Sequence, residues 1–92
     1  MLQVIFEVPE SGSLKDKRRI VKSIKDKLRL QFHVSCAETD LQDSLRFAQI
    51  GAAIVSNSAE FGESVMRKAL AVVEGTFSLR IHDSAIDSER FD

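Results

Sequence analysis

SLKDKRRIVKSIKDKLRL, residues 13–30, is the stretch whose reading decides the fold. At 100° per residue, Leu14, Ile20, Val21, Ile24 and Leu28 fall on one stripe, which predicts an amphipathic helix laid on a sheet. Ser13 followed three places later by Asp16 resembles a capping box, with Asp in place of Glu or Gln, so the helix is predicted to start near Leu14. The pattern fades near Leu30 and Phe32. Lys17 falls inside the apolar stripe, and its stem is expected to cover the core edge while its ammonium reaches water.

Strand patterns lie on both sides of this helix. Before it, Leu2, Val4, Phe6 and Val8 alternate with Gln3, Ile5 and Glu7, a half-buried strand closed by Pro9 and the turn residues Ser11, Gly12 and Ser13. After it, a strand over 33–39 points Val34 and Cys36 one way and Ser35, Ala37 and Thr39 the other. A turn over 40–43 leads to a longer strand over 45–55, with Ala48, Ile50, Ala52 and Ile54 on the core side and Gly51 marking a bulge or close approach. Asn57 with Glu60 gives a second capping signal. Behind it, Phe61, Val65, Met66, Ala69, Leu70, Val72 and Val73 form the apolar face of a helix expected to end with Gly75 as its C′ residue. Phe77, Leu79 and Ile81 alternate with Ser78, Arg80 and His82 in a last strand, and an irregular acidic tail is expected from about residue 84.

The order β-α-β-β-α-β, with right-handed crossovers and two apolar helical stripes to bury, predicts a single α+β domain over 1–92. Its expected form is a ferredoxin-like sandwich: an antiparallel four-stranded sheet in the order 4-1-3-2 with both helices on one face. The other face stays open, lined by Gln3, Ile5, Glu7, Ala37, Phe47, Gln49, Ala53, Arg80 and His82. Ile5 and Phe47 are its candidate interface residues.

Composition sets the class. Ninety-two residues with 43% hydrophobic and 29% charged side chains suit one globular core. The apolar-rich stretch over 47–59 is broken by Gln49, Ser56, Asn57 and Ser58, so no bilayer span is expected, and no basic leader precedes the first strand pattern. One cysteine, Cys36, excludes an internal disulfide and reads as a small buried side chain. Cytoplasmic residence is the resulting expectation.

Charge is distributed unevenly. The formal net charge is −1, yet between Lys15 and Arg29 eight basic residues face only Asp16 and Asp26, a local charge of +6. Lys15, Arg18, Lys22, Lys25 and Arg29 are spaced three and four apart and form one ridge about 20 Å long, with Arg19 at its margin. Like-charged pairs at these spacings outnumber opposite ones, at a cost on the order of 1 kcal/mol. Two readings compete: a solvated face neutralised by Glu7, Glu10 or the acidic tail, and a surface that binds anions. Phosphates along an RNA backbone complement such a ridge, and RNA is favoured over duplex DNA because this topology offers no major-groove reader. The open sheet lacks the aromatic-rich pattern of an RNA-recognition motif, having at most Phe47.

No catalytic constellation stands out. His33 and His82 are predicted on opposite edges of the sheet, too far apart to share a metal, and Cys36 on the buried face does not meet either of them. Ser11, Gly12 and Ser13 before the first helix read as a turn and cap, without the pattern of a phosphate-binding loop. Glu60 and Glu63 lie on a solvated helix face, where Glu63 can pair with Arg67. No cofactor or metal is expected, and the chain is expected not to be an enzyme.

Ser13-Leu14-Lys15-Asp16-Lys17-Arg18-Arg19, followed by Phe32-His33-Val34-Ser35-Cys36-Ala37-Glu38, Gln42-Asp43 and Val55-Ser56-Asn57, closely resembles the YlxP-like family of small uncharacterised bacterial proteins. The resemblance covers nearly the whole chain and implies a ferredoxin-like fold. It supplies no catalytic residues. The family's genes often neighbour those for translation and ribosome-maturation factors, which implies a translation-linked role, and asparagine is the residue the resemblance leads one to expect where this chain has His33. The expectation is a non-catalytic RNA- or ribosome-associated module acting through Lys15, Arg18, Arg19, Lys22, Lys25 and Arg29. The alternatives are a homo-oligomeric interaction domain using the open sheet or an edge strand, and a small-ligand sensor at a dimer interface.

Overall fold

The computed structural model describes residues 1–8, 12–77 and 79–88. In chain order its elements are β1 (Leu2–Glu7), α1 (Leu14–Phe32), β2 (Ser35–Asp40), β3 (Phe47–Ala53), α2 (Ala59–Gly75) and β4 (Arg80–Ile86). The strands form one sheet in the order β2-β3-β1-β4, which is the predicted 4-1-3-2 read from the other edge. Every neighbouring pair is antiparallel.

The period-2 patterns place the predicted side chains inside. Leu2, Val4 and Phe6 from β1, Cys36 from β2 and Ala48, Ile50 and Ala52 from β3 are buried, and they meet Val21, Ile24 and Leu28 of α1 and Met66, Ala69 and Val73 of α2. Phe6 and Ile24 are fully enclosed, each a burial worth roughly 1.5–3 kcal/mol. Gly51 marks a close approach, because a Cβ there would lie 2.9 Å from Thr39 Cγ2.

Several boundaries depart from the sequence reading, each for a local reason. α1 runs through Phe32 although Leu30 is 80% exposed, and it stops at His33, whose left-handed backbone (φ 55°, ψ 40°) lets its N–H donate to Arg29 O. Asparagine, the residue expected there, is one of the few non-glycine types that adopt this conformation readily. Leu14 is a surface residue at the helix start and adds nothing to the core stripe. The cap of α2 is Ser58 rather than Asn57: its hydroxyl accepts from Phe61 N at 3.2 Å, which leaves Phe61 exposed rather than in the core. Gly75 stays helical, and Thr76 closes α2 without a left-handed residue.

The largest shift is in β4, which begins at Arg80 and continues through Ile86, so residues 84–86 are strand rather than tail. A bulge between the Ile5↔Asp83 and Phe6↔Ile81 pairs resets the alternation and brings Ser84 and Ile86 opposite the core residues Val4 and Leu2. Polar residues at 82–84 hide this strand from a simple apolar count. The sequence reading of Pro9, Glu10, Ser11 and Ser78, and of the end of the acidic tail at 89–92, falls outside the described residues.

Candidate functional site

α1 presents its basic residues along nineteen helical positions, but their surroundings divide them into three groups. In the first two turns, Lys15, Arg18 and Arg19 are exposed, and no carboxylate among the described residues pairs with them. Ser13 caps the helix beneath them, its hydroxyl accepting from Asp16 N at 3.3 Å.

Two of the ridge's later members, Lys22 and Arg29, converge on partners. Lys22 Nζ lies 2.9 Å from Asp26 Oδ2, and Arg29 Nη1 lies 3.7 Å from Asp26 Oδ1. The hydrogen bond from Lys22 holds the Asp26 carboxyl below its ordinary pKa; desolvation opposes it, and the charges of Lys22, Arg29 and Lys25 add to the lowering. Arg29 also donates through Nη2 to Cys36 O at 2.6 Å and so pins the last turns of α1 to β2. Lys25 is half-buried beside them. Burial raises the Cys36 thiol above its ordinary pKa, with Arg29 and Lys25 opposing the shift. Such a thiol is a core side chain rather than a nucleophile.

Lys17 departs most from its sequence reading. Its ammonium does not reach water: the residue is 1% exposed, its Nζ donates to Leu41 O, and Glu38 Oε2 lies 3.2 Å away. The Glu38 contact is ionic without hydrogen-bond alignment, and this oxygen is buried with no hydrogen-bond partner. The stripe position of Lys17 was the signal for burial. Its partners were not visible because Glu38 and Leu41 lie more than twenty residues downstream, and Leu41 takes a left-handed backbone (φ 63°) to aim its carbonyl.

The open face holds a second group. Phe47 and His82 reach toward each other across β1, with ring centroids 5.3 Å apart and planes at 50°. The Arg46 guanidinium lies 5.2 Å from the Phe47 centroid. Glu7, half-buried in the same row, faces Arg46 at 3.7 Å and Arg80 at 4.0 Å. Glu7 therefore serves the sheet and does not neutralise the ridge, while Glu10 lies outside the described residues. Ile5 and Phe47, the candidate interface residues, are both half-buried on this face. Sequence reading left Arg46 out because it ran the strand from 45 to 55, whereas β3 begins at Phe47 and leaves Arg46 exposed just before it. The adjacent hollow, about 60 Å³ and lined by Gln3, Ile5, Gln49 and Asp83, is a small depression open to solvent.

His33 precedes the edge strand β2 and His82 lies in the opposite edge strand β4, as the predicted strand order requires. Among the described residues no group of three His, Cys, Asp or Glu side chains converges, and no helix is long and apolar enough to cross a membrane. Glu63 pairs with Arg67 at 2.6 Å on the outer side of α2.

Residues 1–86 match the family described as "Protein of unknown function (DUF503)". The chain belongs to this family. It is also similar to "Uncharacterized protein YlxP" of Bacillus subtilis (strain 168), at 34% identity over 65 residues that span 71% of each chain. The DUF503 match thus covers every strand and both helices, including all six ridge residues and the Lys17–Glu38–Leu41 contact.

Proposed function

We propose that this DUF503 protein is a non-catalytic binding module that engages RNA, free or within the ribosome, through the basic side of α1. The observation that carries the reading is the exposed group Lys15, Arg18 and Arg19, which has no carboxylate partner among the described residues although the chain as a whole is slightly acidic. Like charges at helical spacing in the first two turns oppose one another, and Lys15 in the first turn opposes the helix dipole, so an external anion relieves a repulsion that no carboxylate among the described residues relieves. Lys22, Lys25 and Arg29 extend the path along the helix, with their field reduced by Asp26.

The test is titration of a labelled structured RNA at two salt concentrations. Affinity falls with salt, and the triple variant Lys15→Glu, Arg18→Glu, Arg19→Glu loses binding and flattens the dependence of log K on log salt by about two units. Unchanged binding by that variant rejects the assignment.

Self-association is the competing reading. Both edge strands carry a bulge, β2 between Glu38 and Asp40 and β4 opposite Ile5 and Phe6, which weighs against strand pairing between copies. Half-buried Ile5 and Phe47 favour the version that uses the open face. Sedimentation at high micromolar concentration separates it: a strict monomer removes it.

A further inference from the structure

We infer that the end of the molecule where α1 begins carries a composite site for single-stranded nucleic acid, with the Phe47–His82 ring pair on the open face stacking a base and the first turns of α1, on the other face, holding phosphates farther along the same strand. The inference rests on the nucleic-acid reading above and adds a second surface to it.

The topology brings the two surfaces to one end. β1 finishes at Glu7 and the chain passes to α1 at Leu14, while Phe47 opens β3 and Arg80 opens β4, both in register with Glu7. Lys15, Arg18 and Arg19 therefore share an end of the fold with Arg46, Phe47 and Arg80. The intervening turn is tied to both: Lys17 donates to Leu41 O, Ser44 N donates to the same carbonyl at 3.0 Å, and Ser44 Oγ accepts from Arg46 N at 3.3 Å and Phe47 N at 3.1 Å. Lys17 is thus a positioning residue that links the seat of α1 to the strand start bearing the aromatic ring.

The chemistry of the open-face group suits a base carried on a phosphate chain. Glu7 is one carboxylate for two guanidinium groups, at the long distances of 3.7 and 4.0 Å, and the side chains of Arg46 and Arg80 are 73% and 86% exposed. It orients them and leaves one positive charge in excess. Arg46 lies over the Phe47 ring as a planar cation, at the position a base would take. A base that takes this place on the Phe47 ring displaces the exposed Arg46 guanidinium, which is then free to turn its N–H groups to phosphate. A purely apolar partner fits less well, because Arg46 lies over the Phe47 ring and Glu7 and Arg80 stand in the same row.

The experiment measures binding of a labelled single-stranded oligoribonucleotide and of an abasic oligomer of equal length and charge. Three proteins are compared with the wild type: Phe47→Leu, His82→Ala, and the Lys15→Glu, Arg18→Glu, Arg19→Glu triple. Phe47→Leu is expected to weaken the base-bearing strand by about fivefold to a hundredfold and to leave the abasic strand unchanged, with His82→Ala acting in the same direction. His82 is exposed, so its removal tests the stack even if Phe47→Leu disturbs the fold. The triple variant is expected to weaken both strands. If neither ring variant discriminates between the strands while the triple variant still weakens both, the stacking site is overturned and the ridge reading stands. If the wild type binds neither strand, the composite site is overturned, and the titration of structured RNA decides the ridge reading separately. Loss of a dimer in Phe47→Leu with RNA binding intact assigns the face to a second copy and also overturns the proposal.

Discussion

Lys17 and Lys22 sit five residues apart on one helix, yet the first is sealed under the β2–β3 turn and the second stands 73% exposed beside Asp26. The two halves of α1 differ in the same way. The later half meets the charges of Lys22 and Arg29 internally, through Asp26 and the Cys36 carbonyl, and it is docked on β2. The early half turns one cation inward as a clamp and leaves Lys15, Arg18 and Arg19 outward, unpaired among the described residues. Charge on a helix therefore has no single meaning. Position relative to the sheet decides whether a cation builds the fold or faces outward.

Breaking the clamp should have the largest effect. Lys17→Met leaves Glu38 mostly buried beside an apolar chain and is expected to cost about 2–4 kcal/mol in urea unfolding, near the lower part of the range for an orphaned buried charge because Glu38 keeps 16% exposure. Adding Glu38→Leu should recover most of that loss. A Lys17→Met protein as stable as the wild type would mean the ammonium is solvated after all.

The two halves can then be compared as binders. The Lys15→Glu, Arg18→Glu, Arg19→Glu variant is expected to reduce RNA affinity more than Lys22→Glu, Lys25→Glu, Arg29→Glu, measured on the same RNA at one salt concentration. Equal losses would erase the distinction between the halves. The second triple also breaks the bond to Cys36 O, so its unfolding midpoint should fall while that of the first is nearly unchanged.

At the helix end, His33→Gly relieves the left-handed backbone of an exposed residue and should stabilise the protein by about 0.5–1 kcal/mol. A loss on this substitution would show that the imidazole makes a contact that outweighs the strain.

The smallest effect belongs to Asp26. Its pKa is lower folded than unfolded, so its contribution is complete above the ordinary carboxylate pKa and is lost as pH falls from there through the folded value. Asp26→Asn should therefore destabilise slightly at neutral pH and make no difference in strong acid, as read by thermal unfolding across pH. It should also strengthen RNA binding modestly by releasing Lys22 and Arg29.

Much of this was legible in the chain. The stripe Val21, Ile24 and Leu28, the alternation Leu2, Val4 and Phe6, and the small-residue strand Ala48, Ile50 and Ala52 predicted their own burial, because period 3.6 and period 2 are local properties of the backbone. The two apolar helical faces then required a sheet between strands in the order found. β4 was misplaced because its bulge shifts the alternation at 82–83, which a strict period cannot follow. Asn57 and Ser58 both suit a cap, and only the path of the chain leaving β3 selects Ser58.

By itself, the sequence determined the family, the element order, the sheet topology and the one helix that concentrates positive charge, since these follow from local spacing and hydrophobic burial. Tertiary structure decided what each charge does. Lys17 became a clamp, Asp26 gathered Lys22 and Arg29, Glu7 drew Arg46 and Arg80, and Phe47 met His82 across a strand, because electrostatic and ring contacts depend on distance in space between residues far apart in the chain.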